Sequence, residues 1–191
     1  PDQANPTHKY FYNVTATSKT FTGLTENTSY SYAVRANNAG GSGAYSASKT
    51  IKTPIKPPAV PSNPAASATA DSVTVSWGRV TGATSYDLQF NGTVYNTTAT
   101  SRTMSGLTAG TSYNYAVRAK NGGGTSAYSA AKSVTTIPGQ PANVSARASS
   151  DSVTVSWNAA KGAASYDLKF NGTVYNTTAT SKTVTGLREG T

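Results

Sequence analysis

Asp71-Ser72-Val73-Thr74-Val75-Ser76-Trp77 returns unchanged as Asp151-Ser152-Val153-Thr154-Val155-Ser156-Trp157. Its period is two: Val73, Val75 and Trp77 share one face, and Ser72, Thr74 and Ser76 the other. That is the alternation of a strand with one buried side. Outward from this stretch the self-similarity continues. Ser85–Leu107 and Ser165–Leu187 are identical at 19 of 23 positions, at the same offset of 80. Tyr12–Tyr32 lines up with Tyr95–Tyr115 at an offset of 83, the three extra residues falling in Thr53-Pro54-Ile55-Lys56-Pro57-Pro58-Ala59-Val60-Pro61. The second joint is the shorter Ile137-Pro138-Gly139-Gln140-Pro141. Repetition at a fixed period marks an array of like units. Residues 1–53 read as the back part of one unit and 54–61 as a Pro-rich linker. Residues 62–137 read as a whole unit, 138–141 as a joint, and 142–191 as the front part of a third.

Within the whole unit, strands are expected at 65–70, 72–77 and 85–90, where Tyr86, Leu88 and Phe90 alternate against Ser85, Asp87 and Gln89. Asn91-Gly92 then signals a type I′ hairpin, because both central positions of that turn need positive φ. The returning strand is 93–98, followed by 103–107. Next comes a long strand in which Tyr113, Tyr115, Val117 and Ala119 alternate with polar residues, and a last one at 129–136. Some seven strands, each with one apolar face, require two sheets closed over one core. The fold class is all-β, a tandem array of immunoglobulin-like β-sandwiches with seven strands per module. Its expected core includes Trp77, Tyr86, Leu88, Leu107, Tyr113 and Val117, with Trp157, Tyr166 and Leu168 in the equivalent places of the third unit.

Composition agrees. Charged residues are 12% of the 191, hydrophobic ones 36%, and threonine alone supplies 31. This suits strands and polar turns and not long helices. No window approaches the roughly 18 consecutive apolar residues of a membrane-spanning helix. Cysteine is absent, which removes disulfides, thiolate metal sites and thiol catalysis. The net charge of +9 could attract a polyanion. The basic residues nevertheless fall singly, as at Arg35, Arg79, Arg102, Arg118 and Lys120. Only Lys49, Lys52 and Lys56 form a loose group, so the pattern argues for solubility and against nucleic-acid binding. The chain opens on Pro1 without a charged-then-apolar leader pattern, as expected of a processed product or an excerpt.

These motifs together, Ser72-Val-Thr-Val-Ser-Trp77, Tyr86-x-Leu-x-Phe90 and Gly106-Leu-Thr-Ala-Gly-Thr-Ser-Tyr113-x-Tyr-x-Val-x-Ala119, resemble the fibronectin type III module. The resemblance recurs in each copy and covers nearly the whole chain; only Pro1–Tyr10 departs from it. It implies that the Trp after the second strand is core, and that Leu107 and Tyr113 belong to a tyrosine corner. The integrin-binding Arg-Gly-Asp of vertebrate modules has no counterpart in Lys120–Ser126, so that activity does not carry over.

Few residues could carry chemistry. Carboxylates are Asp2, Glu26, Asp71, Asp87, Asp151, Asp167 and Glu189, and the lone histidine is His8. A glycosidase needs two carboxyl groups about 5–9 Å apart across a cleft. Asp71 and Asp151 sit at turns, while Asp87 and Asp167 lie on the polar face of a strand, so both pairs read as features of the module. No nucleophile–base set, metal set or cofactor motif is evident. Trp77 and Trp157 share strand parity with the core valines, which disfavours them as sugar-stacking platforms; Tyr95 and Tyr128 are better placed on the surface. The threonine-rich 97–103 reads as a soluble edge strand, not as an ice-binding or O-glycosylated surface. Seven Asn-x-Ser/Thr sequons, at Asn13, Asn27, Asn91, Asn96, Asn143, Asn171 and Asn176, are ordinary for so Thr- and Asn-rich a chain.

Near-identical tandem modules, short Pro joints and the lack of cysteine resemble the spacer modules of bacterial polysaccharide-degrading enzymes and surface adhesins. The resemblance implies a non-catalytic array in an extracellular protein, secreted or held at the cell surface. Its partners would be neighbouring modules. Two other readings stay open: a glycan or cell-wall binding module, and a filament subunit in which the part-modules at the two ends complete each other head to tail. The overlap of Tyr12–Thr28 with Tyr175–Thr191 counts against the second.

Overall fold

The computed structural model describes residues 11–187. His8, Asp2 and Glu189 lie outside them. Among the described residues there are strands and turns and no helix. In the first repeat these are β1 (Ser29–Tyr32), β2 (Asn37–Asn38), β3 (Gly41–Ser42) and β4 (Lys49–Lys52). The second holds β5 (Ala65–Ala68), β6 (Ser72–Ser76), β7 (Ser85–Phe90), β8 (Thr93–Thr97), β9 (Ser101–Ser105), β10 (Ser112–Asn121), β11 (Gly124–Thr125) and β12 (Lys132–Thr135). The third holds β13 (Ser145–Ala148), β14 (Ser152–Ser156), β15 (Tyr166–Phe170), β16 (Thr173–Thr177) and β17 (Ser181–Thr185).

The second repeat is a sandwich. One sheet runs β5-β6-β9; the other runs β11-β10-β7-β8, with β12 pairing β10, and all pairs are antiparallel. Val73, Val75 and Trp77 from the first sheet meet Tyr86, Leu88, Phe90, Tyr115, Val117 and Ala119 from the second in one cluster. Alternation along each strand puts these side chains on the inner faces. The Trp77 indole meets Tyr86 edge-on, with ring centroids 5.6 Å apart. Asn91 and Gly92 have φ of 46° and 86°, the positive pair that the β7–β8 hairpin demands.

Several elements differ from the sequence reading. The strand expected at 103–107 ends two residues earlier, because Gly106 turns to φ 71° and sends the Leu107 N–H to the Asp71 carbonyl. The last strand, expected at 129–136, is shortened to β12, and a separate short strand, β11, pairs the end of β10 before it. Between them the hydroxyls of Ser126 and Ser129 accept the N–H groups of Ala119 and Val117, and then donate to the carbonyls of Ala127 and Ala130. Serine hydroxyls thus stand in for ladder carbonyls while the edge kinks. Leu107 and Tyr113 are half-buried at the rim of the cluster.

The outer repeats show what sheet context adds to identical sequence. Tyr166 and Leu168 are half-buried, whereas Leu88 is 0% exposed. β7 is flanked by β8 and β10, but β15 pairs only with β16 among the described residues. Trp157, at 8%, keeps its place against Tyr166. Residues 11–28 form no strand although their copies are β8 and β9. Those strands pair with β7 and β6, for which residues 1–28 hold no equivalent sequence. Strand formation follows from pairing partners more than from intrinsic preference.

Candidate functional site

The carboxylates are the groups best suited to carry chemistry. Asp71 accepts from the Thr69 hydroxyl at 2.8 Å within its turn, and Asp167 from the Asn176 amide at 2.8 Å. Asp87 differs from its sequence reading: it is 2% exposed and not a solvated strand-face residue. β10 lies beside β7 with Arg118 opposite Asp87. The Arg118 Nε and guanidinium Nη2 both reach Oδ2 at 2.9 Å, while Asn96 Nδ2 donates to Oδ1 at 2.9 Å and Lys120 Nζ lies 3.4 Å from Oδ1. Burial by itself would raise the Asp87 pKa; the Asn96 amide, Arg118 and Lys120 together outweigh it and hold the carboxyl below its usual value. A carboxylate so fully engaged is a poor proton donor at neutral pH. Among the described residues no group of three His, Asp or Glu is placed to hold a metal ion.

The aromatic candidates are also engaged. The Arg118 guanidinium stacks 4.7 Å over Tyr128, Arg102 4.8 Å over Tyr95, and Arg35 4.8 Å over Tyr45. Cation–π contact occupies a ring face that a sugar would otherwise need. Arg35 and Tyr45 are the first-repeat copies of Arg118 and Tyr128, so this pair belongs to the module and is no isolated feature. A cleft of about 640 Å³ is lined by Pro138, Trp157, Tyr166 and Leu168, on the core face of the third repeat.

The most developed polar geometry outside the cores is at the joints. In the second repeat, the Tyr113 hydroxyl accepts the Thr108 N–H at 3.0 Å, the tyrosine corner that the family resemblance implied. The first repeat repeats it, Tyr30 accepting from Thr25 at 2.9 Å. Thr136 Oγ1 donates to the Thr108 carbonyl at 2.7 Å, as Thr53 Oγ1 does to Thr25 at 2.6 Å. Both corners hold up the same turn, and the following linker passes beneath it. Sequence reasoning placed Tyr113 in the corner through the family resemblance, but missed Thr53 and Thr136, whose hydroxyls tie the corner turns to the linkers.

An antiparallel two-sheet sandwich with tyrosine corners, its acidic group spent on ion pairs and its tyrosine faces on arginines, defines a structural module. Residues 59–135 match the fibronectin type III domain family. The chain is 40% identical to exoglucanase B of Cellulomonas fimi over 93% of its own length and 19% of the enzyme. It is 42% identical to chitinase A1 of Niallia circulans over 64% of this chain and 20% of that protein. The chain thus spans about a fifth of the length of these relatives. Domains d3–d4 of rat CD45 share the fold, with a TM-score of 0.52 at 17% identity over 70% of this chain and 78% of theirs. No helix among the described residues is long and apolar enough to cross a membrane.

Proposed function

We propose that the chain is a non-catalytic spacer array in an extracellular bacterial protein, setting the distance between flanking functional parts. The carrying observation is Asp87: the one buried carboxylate among the described residues is consumed by Arg118, Lys120 and Asn96. Relatives named as an exoglucanase, a chitinase and an endoglucanase extend far beyond the region shared with this chain, which supports a place beside polysaccharide-degrading domains and outside the cell. The modules divide at 54–61 and 138–141, with 62–137 the whole one. Because Tyr45, Tyr95 and Tyr128 carry arginines on their faces, spacing is favoured over glycan binding.

The test is a fusion. The 191-residue chain is placed between a cellulase catalytic domain and a cellulose-binding domain, and compared with a two-residue link. Activity on soluble substrate should be unchanged, while activity on insoluble cellulose should depend on the insert. An insert that changes turnover of the soluble substrate would contradict the proposal.

A further inference from the structure

The tyrosine corners hold equivalent turns, but the two residues at the tip differ: Glu26-Asn27 in the first repeat, Ala109-Gly110 in the second. Both Asn27 and Gly110 have positive φ, 52° and 58°, so the backbone is the same and only the side chains change. At the second joint Gly110 meets Gly162, in the turn between β14 and β15, backbone to backbone. A Cβ at Gly110 would fall 2.6 Å from the Gly162 Cα, closer than any side chain can stand. Gly162 is reciprocally covered by the Gly110 Cα, and the Gly110 N–H reaches the Ile137 carbonyl at 3.3 Å. A Cβ at Gly139, in the linker, would lie 3.6 Å from the Ala109 Cβ.

The first joint has none of this. Gly82, the copy of Gly162, has nothing within 4 Å of where its Cβ would be. The longer linker instead runs as a strap between the two modules. The Lys56 N–H donates to Glu26 Oε2 at 2.8 Å on one side, and its carbonyl accepts from Asn121 Nδ2 at 2.8 Å on the other. The strap is pressed against the β10–β11 turn, where a Cβ at Gly123 would lie 2.6 Å from the Ile55 carbonyl carbon. Glu26 grips the strap, whereas its counterpart Ala109 stands beside the close linker at Gly139, and Gly110 permits a contact that a side chain there would prevent.

We infer that this turn-tip dipeptide decides how the next module is joined: Ala109-Gly110 docks it directly, and Glu26-Asn27 holds it off on a strapped linker. The inference rests on the spacer reading, since it assigns the residues that set spacing and angle.

The full chain has no cysteine, so Ser101→Cys and Ser181→Cys place spin labels on exposed, equivalent sites of the second and third repeats. The distance distribution across the second joint should be narrow. Gly110→Asn should move it to longer distance and broaden it, while the unfolding midpoint of the second repeat stays unchanged, asparagine being what this chain itself uses at positive φ. Gly162→Asn should act alike, and Gly82→Asn should leave the distribution as it was. A broad distribution in the parent chain, no response to Gly110→Asn, or an equal response to Gly82→Asn would each overturn the inference. None of these bears on whether the array is catalytic, which the turnover of a soluble substrate decides separately.

Discussion

Leu88 and Leu168 occupy the same five-residue context, Tyr-Asp-Leu-x-Phe, yet differ in what covers them. Leu88 is wholly buried among Val73, Val75, Trp77 and Val117, because β10 lies beside β7. Leu168 is half-buried. Truncating a buried leucine to alanine costs about 2–5 kcal/mol, the spread reflecting how far the site can collapse. The close packing around Leu88 places Leu88→Ala near the middle, at about 3 kcal/mol, and Leu168→Ala near half of that. A module of this size has about 4–11 kcal/mol to lose, so Leu88→Ala removes a large share without abolishing folding at the upper end. With a urea slope of about 1 kcal/mol/M, its midpoint should fall by about 3 M. The chain has two tryptophans, one in each of these repeats. Urea titration followed by fluorescence in a Trp157→Phe background reports the second repeat through Trp77, and Trp77→Phe reports the third through Trp157. Equal shifts for the two substitutions would refute the claim that β10 is what buries this position.

Three further outcomes follow from the polar contacts. Asp87→Ala should destabilise the second repeat by about 1–3 kcal/mol, since it strands Arg118 and Lys120, whereas Asp167→Ala, at an exposed site, should cost less; thermal melts compare them. Because the Asp87 pKa is lowered on folding, its contribution is present above the unfolded value and is lost as pH falls through the folded one. Melting temperature should therefore drop below about pH 4 in the parent and drop less in Asp87→Asn. Ser126→Ala should cost about 1–2 kcal/mol by leaving the buried Ala119 N–H without its acceptor, and hydrogen exchange at that amide should accelerate.

Period-two patterning was enough to place Val73, Val75, Trp77 and the Asn91-Gly92 hairpin, because each depends on neighbours two residues apart or on one backbone conformation. What it missed depends on distance in space. Asp87 has the parity of a solvated residue, and only the arrival of Arg118 and Lys120 from β10 and of Asn96 from β8 covers it. Tyr95 and Tyr128 look free along the chain, and the arginines that cover them come from β9 and β10. The register between those strands, absent from any local pattern, decides both cases. The turn tips are a harder example still. Ala109-Gly110 and Glu26-Asn27 are equally good turn residues, and their difference matters only against the module beyond.

The central claim is that the chain spaces and neither cuts nor binds. Incubating the purified 191-residue chain with insoluble cellulose and with chitin, then assaying both the soluble sugar and the protein left in the supernatant, tests it most directly. The account predicts no sugar above the blank and the whole of the protein in solution. Released sugar, or saturable loss of the chain to either pellet, would contradict it.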